Sequence, residues 1–106
     1  MITTIVLLIA VALIAAAALP LVLRLVPRNP IFGVPTKRTL DDEALWFKVN
    51  AFAGIAVIIA CGVIAFLLMF YQGTWLRPAW AQVIVFVVPI ALAVVATLAY
   101  ERRITR

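Results

Sequence analysis

Three consecutive carboxylates, Asp41, Asp42 and Glu43, are the most concentrated chemical groups in this chain. They could hold a hard cation, or they could place favourable charge at the start of a helix. A hard cation needs about six oxygen ligands, and consecutive helical residues point in different directions. Negative charge in a first helical turn, by contrast, complements the positive end of the helix dipole. The pattern favours helix-start electrostatics, with pairing to Lys37 and Arg38, and it predicts no metal site.

Groups suited to catalysis are scarce in the rest of the sequence. The 106 residues include no His, the commonest general base and metal ligand. The long apolar runs contain no acidic or basic residue, whereas proton-coupled carriers and pumps place ionisable groups within the membrane. No nucleophile has a suitable base nearby. The sequence therefore predicts neither an enzyme nor an ion-coupled transporter, and it predicts no cofactor.

Composition indicates the class of protein. Hydrophobic residues make up 68% of the chain, against about 45–50% in soluble domains. We therefore expect an all-α membrane protein with one domain over residues 1–106. The net charge of +5 comes from basic residues beside apolar runs, which is typical of a cytoplasmic membrane face and not of nucleic-acid binding. Anionic lipid headgroups are the expected partners of this charge.

Three apolar runs are long enough to cross a bilayer, since about 20 helical residues cover its ~30 Å core. The predicted spans are about residues 2–23, 50–70 and 80–100. A cleaved signal peptide is the alternative for the first run, but the run lacks a positive n-region and is longer than usual. Pro20 predicts a bent or loosened last turn in the first span, and Pro89 predicts a kink in the third. Tyr71, Trp75 and Trp80 suit an aromatic belt at one interface.

The second helix is predicted to be longer than the bilayer is thick. With Thr39 as its N-cap it would run from about Leu40 to Phe70, or roughly 46 Å at 1.5 Å per residue. Its first turns would then extend into the cytoplasm, so we expect three transmembrane helices with a cytoplasmic extension of helix two. Small residues deeper in this helix would let a neighbouring helix approach closely. They form a stripe of Gly54, Ile58, Cys61, Gly62 and Ala65.

The distribution of basic residues predicts the orientation. The first loop and the helix start after it hold five Lys and Arg residues, the C-terminal tail holds three and the second loop holds one. Three spans put the first loop and the tail on the same side. The positive-inside rule then places the N-terminus outside and the C-terminus in the cytoplasm.

One polar segment, residues 27–54, separates the first two spans and carries small polar residues at fixed offsets. It resembles the signature segment of the SdpI/YfhL family of small bacterial membrane proteins. The matching positions are Pro27, Asn29, Gly33, Thr36, Thr39, Asp42, Glu43, Trp46, Asn50 and Gly54. Pro35 stands where family members often carry Arg, although Lys37 and Arg38 lie close by.

This resemblance implies a bacterial plasma-membrane protein related to toxin-immunity proteins, which protect the membrane and can sequester a regulator. From the three prolines of the first loop and the polar groups at the start of helix two, we expect the binding surface to be the cytoplasmic loop docked on that helix start. Its candidate residues are Asn29, Gly33, Thr36, Thr39, Asp42, Glu43, Trp46, Asn50 and Gly54. The alternative is an accessory subunit of a larger membrane complex, because three short helices bury little surface on their own. A membrane protein or a second copy of the chain is therefore an expected partner.

Several of these polar-segment residues have more than one interpretation. Trp46 is interpreted as an anchor at the membrane interface. Asn50 could pair with Asn29 across loop and helix, or it could bond locally. Ile31 and Phe32 either dip into the interface or pack beneath the bundle.

Overall fold

A computed structural model describes residues 2–71 and 76–105. Its helices are α1 (Ile2–Val22), α2 (Lys37–Asp41), α3 (Glu43–Phe70) and α4 (Ala79–Ile104). The three long helices, α1, α3 and α4, are each long and apolar enough to cross a membrane. The predicted all-α fold with three membrane spans is thereby confirmed. Trp75 of the predicted aromatic belt lies outside the described residues.

Helix α3 is the centre of the bundle. It packs against both α1 and α4, which touch each other over a shorter stretch. One core cluster joins α1 to α3 through Val11, Cys61 and Ile64. Most of the apolar surface of α1 and α4 faces outward, as with Leu13 and Val95, which suits helices surrounded by lipid because lipid tails are as apolar as the side chains.

The close approach of α3 to α1 depends on Gly54. A Cβ atom at Gly54 would lie 2.7 Å from Cγ2 of Val22 and 2.9 Å from the carbonyl oxygen of Ala18. At Gly62 a Cβ atom would meet nothing within 4 Å. The predicted stripe of small contact residues is therefore right at Gly54 and wrong at Gly62. Eight residues of helix rotate a side chain about 80° away from the contact line, so Gly62 faces outward.

Helix α1 ends in a left-handed cap just after Pro20. The amide of Leu25 donates to the carbonyl of Pro20 (2.9 Å), and that of Arg24 donates to Leu21 (3.2 Å). Arg24 has φ 60°, the conformation that reverses the chain in a Schellman motif. Helix α4 continues through Pro89 from Ala79 to Ile104.

The predicted second helix is divided at Asp42. Asp42 is extended (φ −136°, ψ 111°), and its carboxylate accepts a hydrogen bond from the amide of Leu45 as the N-cap of α3. Thr36, and not Thr39, caps α2. The prediction of Thr39 as the N-cap was wrong because Thr39 is the third residue of α2, where its hydroxyl accepts a bond from the Thr36 amide (2.9 Å). The two residues form a reciprocal capping box.

At the opposite end of the bundle, buried polar groups join the starts of α1 and α4. The hydroxyl of Thr4 donates to Oε1 of Gln82 (2.7 Å), and Nε2 of Gln82 donates to the carbonyl of Leu76 (2.9 Å). Polar groups inside a membrane protein need such partners, because the bilayer core offers none.

Candidate functional site

The first loop lies across the start of α3 and is held there by two buried side chains. The indole Nε1 of Trp46 donates to the carbonyl of Val26 (2.8 Å), and Oδ1 of Asn50 accepts from the amide of Val34 (2.7 Å). Trp46 and Asn50 are four residues apart, so they share one face of α3. We call residues 24–36 the docked loop. The predicted docking of loop on helix is therefore observed.

The burial of Trp46 overturns its interpretation as an interface anchor. Its side chain is 0% exposed and Asn50 is 1% exposed. Asn50 does not pair with Asn29, since its amide nitrogen donates to the carbonyl of Trp46 (2.9 Å). Asn29 instead folds the docked loop on itself: its Oδ1 accepts from the amides of Ile31 (3.0 Å) and Phe32 (2.6 Å).

Gly33 lets the loop backbone reach these two side chains. Its φ of +107° lies in a region that side chains disfavour, and a Cβ atom there would lie 2.5 Å from Oδ1 of Asn50 and 3.2 Å from Cη2 of Trp46. Both the backbone conformation and the available space therefore require glycine.

Two threonines and a glutamate connect the docked loop to the C-terminal end of α4. The buried hydroxyl of Thr39 donates to the carbonyl of Val34 (2.7 Å), and the Thr36 hydroxyl donates to the carboxylate of Glu101. Glu101 is buried at 5% exposure. Glu101 was not among the candidate residues predicted from the sequence; the one available signal was that it is the single acid outside residues 41–43.

The family assignment rests on this same region. The model of the SdpI/YfhL protein family matches residues 26–101, which run from the docked loop through α2 and α3 into the last turns of α4. The chain belongs to the SdpI/YfhL family. No curated protein and no solved structure matches it. All nine candidate binding residues lie within the matched range.

In this SdpI/YfhL family member the nine candidates are divided between the interior and the surface. The buried candidates are Thr39, Trp46, Asn50 and Gly54, Gly33 is half-buried, and Asp42 and Glu43 are exposed. Thr39 and Glu43, although four residues apart, lie in different helices because Asp42 separates α2 from α3. The remaining two candidates, Asn29 and Thr36, hold the loop in shape and attach it to α4. The role of the nine residues in binding stays a prediction.

The outer side of the docked loop combines an apolar tip with basic residues. Ile31 is 91% exposed and Phe32 is 39% exposed, so neither packs beneath the bundle. Arg28 and Lys37 are exposed nearby in the chain. We call Ile31 and Phe32 the loop tip. Like the exposed Asp42 and Glu43, the loop tip can contact another molecule without rearrangement.

Proposed function

We propose that this protein is an SdpI-type integral membrane binding protein that recognises a protein or peptide partner with the loop tip. Toxin immunity, or sequestration of a regulator, is the role that the family resemblance suggests. One observation carries the proposal: the docked loop is fastened by buried hydrogen bonds, yet it presents Ile31 at 91% exposure. An apolar residue held in that position is available for a partner or for the membrane interface.

The buried residues would support this binding indirectly. Trp46 and Asn50 already use the indole N–H and the amide oxygen inside the protein, so we assign them a positioning role. A loop that is fixed before binding loses little conformational entropy when its partner arrives. Its affinity can therefore depend on a small apolar tip.

We place the docked loop in the cytoplasm of a bacterial plasma membrane, with the N-terminus outside. Helix α3 has 28 residues, about 42 Å at 1.5 Å per residue, against a ~30 Å hydrocarbon core. Its first turns would therefore project with the loop. The basic residues of the loop and of the end of α4 support this orientation by the positive-inside rule.

The orientation can be measured by cysteine labelling in intact cells. In a Cys61→Ala background, Arg77→Cys should react with a membrane-impermeant thiol reagent, whereas Ile31→Cys should react only after the cells are opened. Both positions are exposed, so a difference in labelling reports sidedness. Labelling of Ile31→Cys alone in intact cells would reverse the assignment.

The role of the loop tip can be tested by comparing protection with stability. We expect wild-type protein to protect a sensitive bacterium against a membrane-active toxin of the kind that SdpI-type immunity proteins counter. Ile31→Ser should abolish protection and leave the melting temperature in detergent unchanged, because the side chain has few contacts to lose. Asn50→Ala should lower both, since the amide of Val34 would lose its partner.

Leu25→Ser is the matched control, because Leu25 is 70% exposed but lies at the start of the loop, away from the tip. It should leave both protection and stability unchanged. Normal protection by a folded Ile31→Ser variant would refute the role of the tip, and absence of protection by the wild-type protein would refute the immunity role. A stoichiometric large partner in native mass spectrometry would support the alternative of an accessory subunit.

A further inference from the structure

An apolar cavity lies under the docked loop, at the gap between α1 and α4. Its volume is about 220 Å³. Leu21 of α1, Val34 of the loop, Ala53 and Val57 of α3, and Ala93 and Thr97 of α4 contribute to its walls. Helices α1 and α4 contact each other over a short stretch only, and Ala53 and Ala93 leave space in the cavity that larger side chains would fill.

The walls of this cavity suit a hydrocarbon occupant. Its polar side chain, Thr97, already donates its hydroxyl to the carbonyl of Ala93 (2.8 Å), so it needs no bond from a ligand. Val94 and Leu98 also line the cavity and are 51% and 41% exposed. The cavity therefore opens sideways between the helices, toward the surrounding lipid.

Leu98 also lines a second cavity, which is basic. This cavity has a volume of about 300 Å³ and is bordered by Lys37 and Arg38 of α2 and by Arg102 of α4. Leu98 and Arg102 are four residues apart on α4, or about 6 Å along the helix. The two cavities therefore adjoin at Leu98, one apolar and the other basic, and we treat them as two parts of one groove. We call it the α4 groove.

Glu101 is the one acidic residue that borders the basic part. Its carboxylate accepts the Thr36 hydroxyl, and the side chain is 5% exposed. Lys37, Arg38 and Arg102 are all exposed. Three accessible cations against one buried and bonded carboxylate leave the basic part with an excess of positive charge.

We propose that the α4 groove binds one anionic phospholipid, with an acyl chain in the apolar cavity and the phosphate against Lys37, Arg38 and Arg102. The apolar cavity and the three cations lie about one helical turn apart along α4. An anionic lipid has an acyl chain and a phosphate to fill both, whereas a free phosphate would use only the cations. Basic pockets between membrane helices are suited to such headgroups. Neither Ile31 nor Phe32 lines the groove, so the inference does not rest on the proposed function of the loop tip.

The headgroup can be tested by native mass spectrometry of the full chain titrated with phosphatidylglycerol or phosphatidylcholine. We expect one phosphatidylglycerol to be retained in preference to phosphatidylcholine. Removal of one cation should weaken retention about fivefold, because a Lys or Arg near an anionic lipid contributes about 1 kcal/mol. The variant Lys37→Gln/Arg102→Gln should therefore lose most of the preference.

The control variant Arg24→Gln/Arg77→Gln removes the same net charge at exposed positions outside the groove. It should keep the preference for phosphatidylglycerol. Equal losses in the two double variants, or equal retention of the two lipids by wild type, would mean general charge attraction and would overturn the site. Displacement of bound phosphatidylglycerol by glycerol phosphate alone would also overturn the site. So would detection of a protein dimer in place of the lipid adduct.

The acyl chain can be tested by filling the apolar cavity. Ala93→Leu should reduce phosphatidylglycerol retention, whereas Ala96→Leu, at an exposed position on the same helix that does not line the cavity, should not. Unchanged retention in a folded Ala93→Leu protein would show that the tail lies elsewhere. If Ala93→Leu does not fold, the two charge variants still decide the proposal.

Discussion

Gly54→Leu is expected to destabilise the bundle by about 3 kcal/mol or more, at the upper end for overpacked cores. A Cβ atom at this position would already lie 2.9 Å from the carbonyl oxygen of Ala18, which belongs to the backbone of α1. A flexible side chain could move aside, but a helix backbone cannot move without breaking its neighbouring contacts. Helices α1 and α3 would therefore separate. The loss should appear as a lower melting temperature and as unfolding at lower denaturant in mixed micelles.

Gly62→Leu is the matched control for this prediction. It introduces the same side chain on the same helix, where a Cβ atom meets nothing within 4 Å. We expect unchanged or slightly increased stability, since replacing Gly by Leu in a helix gains on the order of 0.5–1 kcal/mol. Equal destabilisation by the two substitutions would mean that α3 meets α1 differently from the arrangement described above.

Gly33→Ala is expected to disrupt the docked loop at a cost of about 2–5 kcal/mol, combining backbone strain with loss of a buried hydrogen bond. The backbone has φ +107°, and the added methyl would lie 2.5 Å from Oδ1 of Asn50. That oxygen would have to move away from the amide of Val34. Because a loop can open without unfolding the helices beneath it, hydrogen exchange of the Val34 amide should be measured together with the melting temperature.

A double-mutant cycle with Asn50→Ala separates the two contributions. Asn50→Ala alone should cost about 1–3 kcal/mol, because the amide of Val34 loses its partner. In that background the clash with Oδ1 of Asn50 is absent, so Gly33→Ala should cost mainly the backbone strain of about 1–3 kcal/mol. The two substitutions should then be less than additive. Strict additivity would show that Gly33 and Asn50 do not meet.

The substitutions at Gly54 and Gly33 should affect the function of the protein differently. Gly54 holds two spans together, so its variant should lose assembly and every activity with it. Gly33 shapes the docked loop, so its variant should keep three inserted spans and lose the presentation of Ile31. Retained protection in a Gly33→Ala variant with a disordered loop would argue against the loop tip as the binding surface.

The three membrane spans were evident from the amino-acid sequence alone. A bilayer demands about 20 apolar residues per helix and internal pairing of the backbone, so length and composition suffice to locate the spans. The polar segment between the first two spans was equally evident. The spacing of Asn29, Gly33, Trp46 and Asn50 contributed to the family resemblance. The prediction that the loop docks on the helix came from the loop prolines and from polar groups that need partners.

The contacts between residues of different helices became evident only from the folded arrangement of the chain. In a soluble helix, alternation of polar and apolar residues marks the buried side, but here both lipid and protein neighbours are apolar. The pattern of polar and apolar residues therefore could not distinguish Gly54 from Gly62, and it could not show the α4 groove. Trp46 was misinterpreted because an interfacial Trp and a buried Trp look alike in sequence. Glu101 was overlooked because its burial depends on a hydrogen bond from Thr36, which is 65 residues away in the chain.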